Sequence, residues 1–158
     1  MSSLELEDYA RQIDSVNAEA RALVEGHSPD ELTRPAPGGG WSVAECLDHV
    51  AVTAAAYIPV LRQALEAGRA EGRTGEGPFQ YGFLARTFLW ILEPPVRMRV
   101  KAPGVFKPRP QPDPTAALAA FEARHKELQD LLLAADGLDL AAIRVPSPAN
   151  DKLKFPAG

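Results

Sequence analysis

The sequence predicts an all-α helical bundle built as a single domain over residues 1–158. Three observations predict it. Apolar residues recur at spacings of three and four along three long stretches, the signature of one buried helix face. Those stretches begin or end on recognisable capping residues. Many of the 15 prolines gather between Pro94 and Pro114, outside the striped stretches, where they favour an extended crossover.

The first long helix is expected over Ser3–Glu25, with Tyr9, Ile13, Val16, Ala20, Leu23 and Val24 on one face. Gly26 supplies its C-terminal cap. "SPDEL" then starts a short helical turn that reaches about Thr33. Ser28 is its N-cap, Pro29 stands at the first helical position and Glu31 completes a capping box. The second long helix opens at Ser42, where S-x-x-E pairs Ser42 with Glu45. Trp41 and Cys46 occupy the two positions of a hydrophobic staple. Val43, Cys46, Leu47, Val50, Ala54, Tyr57, Ile58, Leu61 and Leu65 form its stripe, and Gly68 closes it. Pro59 lies inside the stripe and is expected to kink the helix without ending it, because the period resumes at Leu61.

"GRAEGRTGEGP" reads as a polar loop, and "FQYGFLARTFLWIL", residues 79–92, as a helix packed on both sides or, at that length, a strand. Pro94 and Pro95 stop it, and "VRMRVKAPGVFKPRPQPDP" reads as extended chain. The third long helix starts with Asp113 as N-cap and Pro114 behind it. Leu118, Phe121, His125, Leu128 and Leu132 make its face, and Gly137 ends it. No final helix is predicted after Gly137. Amphipathic helices bury their stripes most simply in an up-and-down bundle, which normally has four main helices; three are clear here.

Composition narrows the function. A net charge of −4 excludes the basic excess of a non-specific nucleic-acid binder. The acidic start "MSSLELEDYARQ" is not a signal peptide, and no uninterrupted apolar run approaches the ~18 residues of a membrane span. The single cysteine excludes an internal disulfide and suits a reducing cytoplasm. "PGGGW" lacks the G-x-G-x-x-G spacing of a dinucleotide site.

His49 is the first candidate for chemistry. It lies one turn after Glu45, within i, i+4 pairing distance, and three residues after Cys46. Its imidazole suits a metal ligand or a general base, and equally a histidine at the edge of the core bonded to a neighbour. His125 sits mid-stripe between Phe121 and Leu128 and needs a polar partner: a site shared with His49, one hydrogen bond to a neighbouring helix, or a wet cavity faced by the stripe. His27 follows a capping glycine and reads as a surface residue. Arg97, Arg99, Lys101, Lys107 and Arg109 form a basic run, suited to an anion or simply to solvent. Cys46 is expected to be buried at a helix N-terminus and is not read as a nucleophile.

"LTRPAPGGGWSVAECLDHV", residues 32–50, resembles the signature of the DinB-like (DinB/YfiT) superfamily: an Arg-Pro before the turn, then W-S-x-x-E-x-x-x-H opening the second helix. "EPPVRMRVKAP" and "FEARH" are similar to one subgroup of it. The resemblance implies an up-down-down-up four-helix bundle, often a homodimer, with the last helix missing or incomplete in this chain. It implies a divalent metal, zinc or nickel, held by three histidines, of which His49 matches the one on the second helix. The other two belong to an H-x-x-x-H pair on the last helix, and no such pair occurs in this sequence. Either that helix lies outside the chain or this member lacks the site. The implied activity is metal-dependent thiol transfer or hydrolysis on a small molecule, with bacillithiol or mycothiol as the thiols relatives use. On that reading Glu45 caps the helix or lies behind the ligands. The other reading is a non-catalytic bundle that works through self-association, motivated by the absent pair and the apolar segment 79–92.

Overall fold

The computed structural model describes residues 3–75 and 101–157, with side chains from residue 6 onward. The expected helix or strand at 79–92, the Pro94–Pro95 stop and the cations Arg97 and Arg99 lie outside the described residues.

Four α-helices occur among the described residues: α1 (Ser3–Glu25), α2 (Pro29–Thr33), α3 (Val43–Ala70) and α4 (Pro114–Ala134). A 3-10 turn spans Gly104–Phe106, and two strands close the chain, β1 (Arg144–Ser147) and β2 (Asn150–Pro156). The starts fall where the caps predict. Ser28 and Ser42 each form a full capping box, with Glu31 and Glu45 returning to the cap backbone. The Asp113 carboxylate accepts from the Ala116 N–H at 2.8 Å, with Pro114 behind it. α3 runs unbroken through Pro59, whose ring faces outward.

Helix sense follows from the contacts. Arg21 pairs with Glu122, Asn17 bonds His125, and Gln129 bonds the Ala10 carbonyl and Asp14, so α1 and α4 are antiparallel. One apolar cluster joins the N-terminal halves of α3 and α4 through Leu47, Ala51, Ala117, Leu118 and Phe121, with Ala20 of α1. The other joins their C-terminal halves through Ala54, Ile58, Leu65, Leu131 and Ala135, capped by Leu138, Leu140 and Ile143. α3 and α4 are therefore parallel, and the chain must return the length of the bundle between them. Residues 101–113, the described end of the proline-rich crossover, lie beside the first half of α3 and lead into α4.

The buried stripe of α3 keeps Leu47, Ala54, Ile58 and Leu65 of the expected one and differs in the residues between them. Ala44, Leu47, Asp48, Ala51, Ala54, Ile58, Leu65 and Gly68 face inward, while Val50 is exposed. The parallel partner presents Ala117, itself fully buried, beside Leu118 and Phe121, and Val43 packs half-buried against the same cluster, so small and bulky residues share the contact. On α1, Tyr9, Val16 and Leu23 are also more exposed than their stripe implies.

The end of the chain corrects the all-α expectation. After Gly137, which takes φ +74°, the chain forms an antiparallel hairpin instead of a helix. Val145 and Ser147 point inward, alternating as a strand requires. Pro146 and Pro156 obscured it, since proline is confined to edges and bulges of sheets, and the register does shift between Pro146 and Ser147. The hairpin is tied back by Ala157, whose N–H is shared by the carbonyls of Leu140 and Ile143 at 3.0 Å each.

By length and mean hydropathy (1.3), α3 would suit a bilayer, although it carries acids and bases the uninterrupted-run test rejects. Its inner face is occupied by α4 and by the segment leading into the hairpin.

A Cβ added at Gly68 would meet Ile143 Cδ1 at 2.4 Å and Cγ1 at 2.7 Å. Gly68→Ala is expected to cost about 1–3 kcal/mol through forced repacking. A lower urea midpoint at unchanged slope is the expected result.

Candidate functional site

The site is built where the crossover passes over the first turns of α3. The capping box holds that start rigid: Glu45 N–H donates to Ser42 Oγ at 3.2 Å and Ser42 N–H to the Glu45 carboxylate at 2.8 Å. Glu45 is thus engaged as a cap, turned toward Ser42 rather than pairing with His49. One turn on, Asp48 is completely buried and His49 is half-buried.

An isolated buried carboxylate is costly, so Asp48 requires donors. Arg109 of the crossover supplies them: its backbone N–H donates to Oδ2 at 2.7 Å, and its Nε and Nη2 to Oδ1 at 3.0 and 2.5 Å. Desolvation pushes the Asp48 carboxyl up, but the Arg109 hydrogen bonds and charge outweigh it and hold it below its ordinary value. Sequence reading missed Asp48. The usable signal was its place in the spacing Ala44, Asp48, Ala51, an acid on the inner face of a helix.

His49 is held by the same loop. Its Nδ1 lies 2.5 Å from the Phe106 carbonyl and 3.5 Å from Thr53 Oγ1. A carbonyl only accepts, so Nδ1 carries the proton and the lone pair of the neutral ring is on Nε2. The Phe106 side chain is buried and stacks on Tyr57 at 5.5 Å between centroids, 20° from parallel. Trp41 covers His49 with ring centroids 4.7 Å apart. Trp41 therefore serves the histidine, where a staple to Cys46 was expected. Cys46 itself is exposed, which corrects the expectation of burial: the inner face has rotated past it. Desolvation of the thiol and then the Glu45 carboxylate push its pKa up, so it remains a thiol at neutral pH.

The three histidines do not meet. His125 is buried on α4, donates from Nδ1 to Asn17 Oδ1 at 2.6 Å and lies against Phe121 at 4.0 Å between centroids. Of the partners the sequence allowed it, the structure selects the neighbouring helix. His27 is exposed and bonded to the Leu23 carbonyl. Of the basic run, Lys101 and Lys107 are exposed and Arg109 is committed to Asp48.

The profile of the DinB superfamily matches residues 12–157. The chain belongs to the DinB superfamily. No curated protein and no solved structure matches it. For a DinB-superfamily protein the donor set is thin. No three His, Cys, Asp or Glu side chains come together among the described residues. Asp48 and Glu45, the acids beside His49, already accept from Arg109 and Ser42. These residues do not fit a three-ligand divalent site, although His49 Nε2 has the chemistry of one nitrogen donor.

Burial pushes the His125 pKa below its ordinary 6.5. A depressed folded value means stability is complete above 6.5 and declines as pH falls toward the folded value. Thermal midpoints measured from pH 8 to 5 are expected to drop for the native protein and to stay level across that window for His125→Gln. Asn17→Ala, which strands the Nδ1 proton, is expected to cost about 1–3 kcal/mol at pH 8. Asp48 acts in the same sense at lower pH. Its contribution is present above the ordinary carboxyl value of 3.8 and is lost as pH falls through the lower folded one. Acid unfolding followed by circular dichroism should therefore lose its steepest part in Asp48→Asn.

Proposed function

We propose that this DinB-superfamily protein is a cytoplasmic small-molecule transferase or hydrolase whose working group is the His49 imidazole. The observation that carries the reading is the Nδ1 bond to the Phe106 carbonyl, which leaves the basic nitrogen at Nε2. A nitrogen so fixed takes a proton from a thiol or a water and returns it to a leaving group, the part a general base plays. The substrate class is a low-molecular-weight thiol or its acceptor. Zinc or nickel, where bound, would use the same Nε2 and lower the pKa of a thiol or a water. The further ligands are not among the described residues, so no step is assigned to the metal. The up-down-down-up four-helix arrangement and the homodimer belong to the same proposal.

The test is titration of bacillithiol and of mycothiol, each with and without zinc or nickel, into the native protein and His49→Ala, alongside measurement of bound metal. Binding of thiol or metal is expected to fall at least about tenfold in the variant, since a tenfold loss is only ~1.4 kcal/mol. Identical isotherms and identical metal content in the two proteins would remove His49 from the function.

Self-association without chemistry is the second reading, and one observation favours it. Tyr9, Val16 and Leu23, spaced by seven along α1, are 50%, 46% and 42% exposed. Thiol binding separates the two, since only the first requires it; light scattering after size exclusion tests the dimer that both share, and a strictly monomeric chain removes the second reading and the homodimer from the first.

A further inference from the structure

The crossover does more than connect α3 to α4. Residues 101–113 touch α3 at three side chains: Arg109 grips Asp48, the Phe106 carbonyl meets His49, and the Phe106 ring stacks on Tyr57. Pro103, Pro108, Pro110 and Pro112 limit the conformations available to the chain between these points. Gln111 holds φ +47°, a left-handed conformation unfavourable for a side chain of that kind. Such a residue persists where its flanks are fixed. Here the Arg109 grip lies on one side and the Asp113 cap on the other.

We infer that the Asp48–Arg109 pair is a positioning device for His49. It sets the height and angle of the Phe106 carbonyl, and through that carbonyl it keeps the proton on Nδ1 and the lone pair on Nε2. Only two residues, Lys107 and Pro108, separate Phe106 from Arg109. The Phe106 end is fixed by the turn that closes from Lys107 N–H to the Gly104 carbonyl at 3.3 Å, and Pro108 constrains the link onward to Arg109. A shift of the guanidinium therefore moves the carbonyl with it. Both carboxylate oxygens of Asp48 are used, one by the backbone and one by the side chain of Arg109. The grip fixes rotation as well as distance, which a lysine ammonium would not do. Neither Asp48 nor Arg109 need touch a substrate. The inference rests on His49 being the working group, but its readout does not depend on activity.

The experiment is long-range 1H–15N correlation of the His49 ring in uniformly labelled full-length protein, at a pH where the ring is neutral. Native protein is expected to show Nδ1 in the protonated range and Nε2 in the unprotonated range. In Arg109→Ala the Nδ1 signal should move toward the unprotonated range as the ring exchanges tautomers. Arg109→Lys, which preserves charge and the backbone bond, should lie between the two and serves if Arg109→Ala does not fold. Asn17→Ala, destabilised away from the crossover, should keep the native pattern. A folded Arg109→Ala or Arg109→Lys with the native tautomer would overturn the inference. So would an Asn17→Ala protein in which the tautomer also shifts, because loosening alone would then be sufficient. Identical thiol and metal binding by the native protein and His49→Ala, together with an Arg109-dependent tautomer, would refute the proposed function and leave this inference standing.

Discussion

One buried carboxylate organises the functional end of this protein. Asp48 has no access to water, and a carboxylate in that position must be surrounded by donors or it destabilises the fold. The donors come from Arg109, distant in sequence, so the requirement of a single side chain decides where the crossover lies. Because α3 and α4 run in the same direction, some long connection must pass back along the bundle. The ion pair chooses its path, and the Asp113 cap converts its end into the start of α4. Arg109 keeps much of its guanidinium in water, so its desolvation is modest while the carboxylate receives three bonds.

Two histidines show how environment divides one chemistry into two roles. Each donates from Nδ1 to an oxygen of another segment. For His125 the acceptor is the half-buried carboxamide of Asn17 and Phe121 closes the space beside it, so the ring is a polar link between α1 and α4. Burial keeps it neutral. For His49 the acceptor is a loop carbonyl, the ring is half-buried and an exposed Trp41 lies over it. A ring of that kind is oriented without being sealed, which is what a proton-transferring or ligand-binding nitrogen requires.

Membership of the DinB superfamily sets the fold class and directs attention to His49, but the remaining acids near that residue are spent on structure. Glu45 holds the helix start, and Asp48 holds the crossover. The sulfur of Cys46 points away from the inner face. The local chemistry at the start of α3 therefore comes down to a single nitrogen with a prescribed tautomer. Small residues make the arrangement possible: Ala44, Ala51 and Ala117 let α3 and α4 approach closely at this end, and Gly68 does so against Ile143 at the other.

The helix starts were legible in the sequence because a cap is a local device. Ser42 with Glu45, Ser28 with Glu31, and Asp113 with Pro114 satisfy backbone groups within four residues, and no distant partner is needed. On the inner face of α3, Leu47, Ala54, Ile58 and Leu65 were legible, while Ala44, Asp48 and Ala51 were missed because bulky residues attract the eye. The terminal hairpin was hidden by its prolines. The partner of Asp48, the acceptor for His49 and the choice of Asn17 for His125 link residues 57 to 108 positions apart. No spacing rule reaches that far. Local hydrogen bonding wrote the elements into the chain, whereas the desolvation of one acid, which exists only once the chain has packed, brought Arg109 and its loop against α3 and the Phe106 carbonyl to His49.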